Sequence, residues 1–266
     1  MGRLVKSAYA FAAAALVASA CVHAQVLPLI NPGFEDISVT LAPGEMINGM
    51  GSTTQPTTTR WPSPFQQIAG TPQTGVTVAG WRSFVPTPPA QSLVGVLNPS
   101  ATINNQLWLT GQSGNHVAVA QAAFASQTLN VLLQPSTTYT VSFLAGIGRT
   151  DLSYSPRVAL IAAADTTSLA RVGDGVTTTL TFNPWTTITQ EQFGVMLPFT
   201  FSYTTAAVLP ADQANRYVGL YFVGSDGFPR VCFDDFRIEA TPVPSAGPVA
   251  LAVLAGCFVF AKSRKR

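Results

Sequence analysis

Residues 136–148 read STTYTVSFLAGIG. A period of two puts Tyr139, Val141 and Phe143 on one face and threonine and serine on the other, the pattern of a half-buried β-strand. Such a strand cannot stand alone: its edges need partners and its apolar face needs a cover. The same signal recurs in GVTVAGWRSF (75–84), NQLWLTG (105–111), NHVAVAQ (115–121), PRVALIAA (156–163), TTTLTF (177–182), PFTFSYTT (198–205), RYVGLYFVGS (216–225) and RVCFDDFRIEA (230–240). In the first, Val76, Val78 and Trp81 mark the alternation. In the second, Leu107 and Leu109 share a face opposite Trp108, and in the third Val117 and Val119 do. SQTLNVLL (126–133) suits a helix or a strand, and the Pro135 turn that follows favours strand. ITQEQFG (188–194) predicts a helical turn, and GDG at 173–175 a hairpin turn. Short strands without interleaved helices predict an all-β fold, an antiparallel two-sheet sandwich.

The two ends do not belong to that pattern. Arg3 and Lys6 precede the apolar run AYAFAAAALVASA, and Val22-His23-Ala24 offers a small-residue cleavage site. Residues 1–24 are therefore expected to be a signal helix, removed before Gln25. A retained membrane anchor and lipidation at Cys21 are the alternatives. At the other end TPVPSAGP (241–248) is an extended linker, 249–261 is apolar, and 262–266 is basic. From Ala246 to Ala261 a helix would span roughly 24 Å against about 30 Å of hydrocarbon. Flanking basic residues can close that gap and stay cytoplasmic. A short transmembrane helix is expected there.

The body between them, 25–240, is long enough for one core. All three lysines lie in the ends, and from Gln25 to Pro244 eight arginines face twelve carboxylates, a net charge of −4. No basic face is available for nucleic acid. Cys232 is the body's one cysteine, so no disulfide can form within it. Residues 37–80 are rich in Thr, Pro and Gly without an apolar period, which predicts a long loop or an elaborated sheet edge, with Trp61, Phe65 and Ile68 to bury.

Catalytic motifs are missing. The body's one histidine, His116, reads as a polar surface residue at a strand start. There is no Gly-x-Ser-x-Gly elbow and no His/Cys cluster for zinc. Carboxylates such as Glu35, Glu45, Glu191 and Glu239 cannot be paired across a cleft from sequence, and adjacent Asp234 and Asp235 would face opposite ways on a strand. On this ground the chain is expected not to be an enzyme, a glycosidase-like enzyme being the last alternative.

Three segments, in order, resemble galactose-binding-like, jelly-roll carbohydrate-binding modules: INPGFED (30–36) followed by Gly80-Trp81, LLQPSTTYTVSFLAG (132–146), and VCFDDFRIEA (231–240). The resemblance implies that the first and last strands lie side by side and hold a structural calcium ion through Glu35 and Asp234. The alternative for Asp234 is a bond to an arginine or a backbone N–H. The resemblance also implies glycan stacking on an exposed aromatic. Trp61 and Trp185, beside prolines, are the candidates, whereas Trp81 and Trp108 sit in strand patterns and read as core.

The tail resembles the PEP-CTERM sorting signals, which a membrane-embedded exosortase is thought to recognise in bacteria that secrete exopolysaccharide. Val243, Pro244 and Gly247 match a Val-Pro-small-Gly variant, and Arg264, Lys265 and Arg266 form its basic end. A plain tail anchor is the alternative. Together these readings predict an exported, non-enzymatic protein that passes through an inner-membrane intermediate to the cell surface or matrix. It would be associated with exopolysaccharide. A specific glycan-binding module is the first alternative.

Overall fold

The computed structural model describes residues 23–50, 57–61, 71–74, 76–84, 92–99, 109–147, 154, 156–184, 186–224 and 230–244. Within these the protein is all-β, with fourteen strands and a single 3-10 turn at Gln190–Gln192. The strands are β1 (Gln25–Val26), β2 (Met46–Asn48), β3 (Thr57–Trp61), β4 (Thr71–Thr74), β5 (Arg82–Phe84), β6 (Leu93–Leu97) and β7 (Val117–Gln121). They continue with β8 (Phe124–Leu132), β9 (Thr137–Ile147), β10 (Arg157–Ala163), β11 (Thr178–Phe182), β12 (Leu197–Thr204), β13 (Tyr217–Val223) and β14 (Val231–Pro242). One antiparallel sheet runs β12-β9-β14-β7-β6-β2-β3-β4, with β1 also on β14, and the other runs β11-β10-β13-β8-β5. Residues 126–132 are strand, as the turn at Pro135 suggests. Residues 37–80 carry β2, β3 and β4, which extend the edge of the larger sheet. Among the described residues no helix is long and apolar enough to cross a membrane. The expected signal and tail helices lie outside those residues.

The core between the sheets follows the alternation. Tyr139, Val141, Phe143 and Ala145 of β9 face Val218, Leu220 and Phe222 of β13 and Val158, Leu160 and Ala162 of β10. Phe34, Trp81, Phe222, Phe233 and Phe236 fill its centre, with Phe222 and Phe233 ring centroids 4.8 Å apart. Each fully buried side chain of this size contributes roughly 1.5–3 kcal/mol of transfer free energy.

Strand β7 departs from the expectation of one buried face. Ala118 and Ala120 face the intersheet core, whereas Val117 and Val119 face outward and are buried under Leu109 and Met196. Connecting segments cover that outer face, so both faces of the strand are apolar. Cys232 lies in the same outer cluster, free and fully buried, and burial pushes its thiol up to about 12.

Gly219 of β13 shows how tightly the smaller sheet is built. A Cβ there would meet the Gln127 carbonyl oxygen at 2.9 Å and Ile161 Cγ1 at 3.0 Å. Gly219→Ala is expected to destabilise the protein by about 1–3 kcal/mol, the range for overpacking. Urea unfolding would read it, and an unchanged midpoint would refute that packing.

Candidate functional site

The site lies where β14 changes neighbours. On one flank β9 runs beside it throughout; on the other, β7 pairs with Val231–Phe233 and β1 with Glu239 and Ala240. Between these partners β14 bulges: its register with β9 shifts between Asp234 and Arg237, and Asp235 has φ 47. The bulge breaks the alternation that would have grouped Asp234 with Phe236 and Ile238. Phe233 and Phe236, three apart, both enter the intersheet core. Asp234 is fully buried, and Asp235 is exposed.

Two loops fill the gap. The first is residues 27–36. Leu27 N–H donates to the Ile238 carbonyl and Phe236 N–H to the Pro32 carbonyl, so this segment tracks β14. Asn31 and Phe34 adopt left-handed φ values of 52 and 59. The Asn31 side chain holds the turn closed, donating to the Asp36 carbonyl and accepting from Asp36 N–H, both at 2.8 Å. The indole N–H of Trp81 donates to the Asn31 carbonyl at 3.0 Å. The Asn-Pro-Gly-Phe turn thereby drives Phe34 into the core and leaves Glu35 at its rim.

The second loop is 111–116, with Gly111 and Gly114 at φ 84 and 82. Its backbone N–H groups are aimed at the two carboxylates. Asn115 and His116 N–H donate to Glu35 Oε1 at 2.7 and 2.8 Å, and Ser113 N–H donates to Asp234 Oδ2 at 2.6 Å. Asp234 Oδ1 accepts from Asp235 N–H at 2.8 Å. His116 Nδ1 lies 2.9 Å from Glu35 Oε2, and its side chain is only 14% exposed. The residue read as surface-facing is therefore turned inward against Glu35.

Electrostatically the site is unbalanced. Burial, with the nearby charges of Asp235 and Glu35, pushes the Asp234 carboxyl up to about 7, although the Ser113 and Asp235 N–H groups pull it down. Gln112, beside Ser113, leaves its side-chain oxygen buried without a hydrogen-bond partner. Buried acceptors without donors are costly and are rarely left so. Among the described residues no three His, Cys, Asp or Glu side chains gather into one metal cluster. Any cation here would take its remaining ligands from amide and main-chain oxygens, as calcium does. The two carboxylates suit such an ion, and among the described residues no basic side chain is bonded to either Asp234 oxygen.

The structure thus brings together Glu35 and Asp234, the pair singled out from sequence. The GQSGN segment (111–115) and His116 complete the site, and sequence reasoning did not assign them to it. Their signal was a polar, glycine-bounded stretch directly before an apolar strand. Gly114 is the tightest point, since a Cβ there would lie 2.3 Å from Glu35 Oε1. Gly114→Ala is expected to displace the Glu35 carboxylate and to cost about 1–2 kcal/mol for the left-handed backbone alone. Loss of the Asn115 and His116 amide protection in hydrogen exchange would report it.

The other predicted residues fall elsewhere. The side chains of Trp61 and Trp185 lie outside the described residues, as do Gly247, Arg264, Lys265 and Arg266. Val243 and Pro244 follow β14 and are exposed. A cleft of about 390 Å³ opens beside β12, lined by Asn183, Thr186, Thr187, Gln192, Phe199 and Thr200 among others. Phe199 stacks on Phe143 at 5.4 Å. Asn183 is committed to the fold, accepting from Val158 N–H and donating to the Pro156 and Pro184 carbonyls. Among the described residues no titratable side chain lines the cleft.

No family model and no curated protein matches the chain. Solved structures do. An apo cyclase from Fischerella sp. aligns with a TM-score of 0.55 at 20% identity, over 84% of this chain and 98% of that one. A Stig cyclase from Fischerella sp. TAU, in complex with (3Z)-3-(1-methyl-2-pyrrolidinylidene)-3H-indole, gives 0.55 at 21% identity over 83% and 100%. The CBM22-1 xylan-binding domain from Paenibacillus barcinonensis gives 0.38 at 10% identity over 77% and 99%, too distant to argue from. The expectation that the chain is no enzyme is overturned by the cyclases: they share its fold over most of its length and are enzymes. The exclusion rested on missing nucleophile and zinc motifs. Proton-transfer catalysis needs only a placed acid or base, which leaves no such motif.

Proposed function

We propose that the protein is an exported surface protein. Its β-sandwich stands outside the cell, its C-terminal segment holds or sorts it at the membrane as a PEP-CTERM-like tail would, and a calcium ion clamps its first strand to its last. The observation that carries this reading is where the body closes. β1 starts at Gln25, the residue after the expected cleavage site, and pairs with Ala240 and Glu239, just before the proline-rich linker. The sandwich uses the segment that leader removal would leave and ends where the tail begins. An exosortase-type enzyme is the partner such a tail implies, and exopolysaccharide the surrounding matrix. Cell fractionation with mass spectrometry of both mature termini tests it. An intact chain in the cytosol with its leader attached would sink it.

In the clamp, Glu35 and Asp234 are the groups that would hold calcium. The ion supplies positive charge to a buried carboxylate that otherwise resists ionisation. Ligand binding stabilises a fold by about 2.7 kcal/mol at a hundredfold excess over Kd. Thermal unfolding in calcium and in chelator reads this directly, and coincident curves would remove the clamp.

Glycan binding is the second reading, favoured by the cleft beside β12. Its lining combines a phenyl ring, threonine hydroxyls and an amide, which suits a neutral, hydroxyl-rich ligand. Pro184 and Thr186, the neighbours of Trp185, are part of it. Titration with neutral oligosaccharides tests this reading, with Phe199→Ala as the control. Binding unaffected by that change would place the site elsewhere.

A further inference from the structure

One pole of the sandwich gathers the ends of β8, β10, β12 and β14 and the starts of β9, β11 and β13. Four of the seven exposed large apolar side chains of the described residues lie there: Leu132 (42%), Val176 (53%), Val208 (82%) and Val243 (41%). Hydrogen bonds tie their loops together. Ser136 N–H donates to the Ala206 carbonyl, Val243 N–H to the Ser136 carbonyl, Leu133 N–H to the Arg216 carbonyl, and Arg216 Nη1 to the Val176 carbonyl. The loop leaving β12 reads Ala-Ala-Val-Leu-Pro-Ala from 206 to 211. It carries no polar side chain, and all of it except Leu209 is exposed. Pro135, Pro242 and Pro244 are exposed beside it. Asp174, Asp212 and Arg216 carry charge at this pole, beside Val176 and the start of β11.

The chain itself says what faces this surface. β14 ends here, and four residues lie between Pro244 and Val249, the start of the apolar run. Fully extended, the five steps from Pro244 to Val249 span at most about 18 Å. A bilayer that takes up the apolar run must therefore lie within that distance of the pole. We infer that this pole is a lipid-facing surface, with the Ala206–Ala211 loop seated in the headgroup region and Val208 at its tip. The inference rests on the reading of the tail as a membrane segment. The loop is too small to hold a membrane by itself. The tether supplies a high local concentration, so a weak apolar contact is enough.

The test uses the full chain with its tail, with Cys21 and Cys257 changed to serine and buried Cys232 left in place. It is reconstituted into phosphatidylcholine–phosphatidylglycerol vesicles. Bimane is attached at Val208→Cys or, as the control, at exposed Val195→Cys. Val195 lies at the opposite end, beside the start of β12. The expected result is that both proteins float with the vesicles, while spin-labelled lipid quenches bimane several-fold more at 208 than at 195. Flotation with equal quenching overturns the lipid-facing pole and leaves the tail reading intact. Failure to float overturns both. A blue shift at 208 without vesicles that grows with protein concentration assigns the pole to a second copy of the chain, and also overturns the inference.

Discussion

Trp81→Ala is expected to remove about 3–5 kcal/mol of stability, the range for truncating a buried large aromatic. That is a large part of the roughly 5–15 kcal/mol by which a domain is stable. Trp81 is 2% exposed, with ring centroids 5.0 Å from Phe34 and 5.4 Å from both Phe222 and Phe236. No neighbour can fill the volume without leaving this aromatic cluster. The loss would not stay in the core. The indole N–H is bonded to the Asn31 carbonyl, so the turn that presents Glu35 loses an anchor at the same time. Trp81→Phe separates the two effects, keeping a ring but no donor, and should cost about 1 kcal/mol, since the part-buried Asn31 carbonyl still accepts from Phe34 N–H. Urea unfolding followed by circular dichroism measures both. A Trp81→Ala midpoint close to wild type would mean that the cluster does not hold the sandwich together.

The second large effect is a pH dependence of unusual sign. With divalent cations removed, the folded Asp234 carboxyl titrates at about 7 against 3.8 for an unperturbed aspartate. The folded state therefore binds this proton more tightly than the unfolded state does. Its contribution is complete below pH about 4 and is lost as pH rises through about 7, a total of about 4 kcal/mol at roughly 1.4 kcal/mol per pH unit. Asp165 acts in the opposite sense at more acidic pH, because the Ser168 and Thr167 N–H groups hold its carboxyl at about 2. The difference between wild type and Asp234→Asn isolates the Asp234 contribution. Asparagine cannot ionise, so its unfolding free energy should lack the decline between pH 4 and 7. It should carry instead a constant penalty of about 1–3 kcal/mol, since its amide must turn an NH₂ toward one of the two N–H donors now bonded to Asp234. Calcium should flatten the wild-type profile and leave the variant unchanged. Parallel profiles for the two proteins would remove Asp234 as the source.

The strand content was legible because it depends on local pattern. Tyr139, Val141 and Phe143 alternate with threonine and serine, and all three point into the core. The pairing of β1 with β14 was available through the resemblance of the two end segments, together with the choice of Glu35 and Asp234. What failed to show was anything requiring two faces or two distant loops. Val117 and Val119 alternate like a one-sided strand, yet they face outward under Leu109 and Met196, which arrive from other connections. Asp234 carries the parity of Phe236 along the chain, but the bulge at Asp235 cancels that parity. His116 offered no hint of Glu35, because the two lie 81 positions apart in sequence.

The reach of a motif search was limited in a similar way. Missing nucleophile and zinc motifs exclude those particular chemistries. They do not exclude catalysis on a fold that cyclases share.

By itself, then, the sequence determined the period of the strands, the polarity of the two chain ends and the net negative charge of the segment between them. The first two are set by neighbours one to a few residues apart, where sterics and hydrophobicity act directly. Only the tertiary structure decided how the strands divide between two sheets, which face of β7 and β14 each residue takes, and that a glycine-bounded loop aims its amides at a pair of acids presented by a proline-bounded turn and a bulged strand. Those outcomes depend on contacts between segments some 80 to 120 residues apart. The free energy that selects them comes from burying Phe34, Trp81 and Phe236 together, a gain no single segment carries.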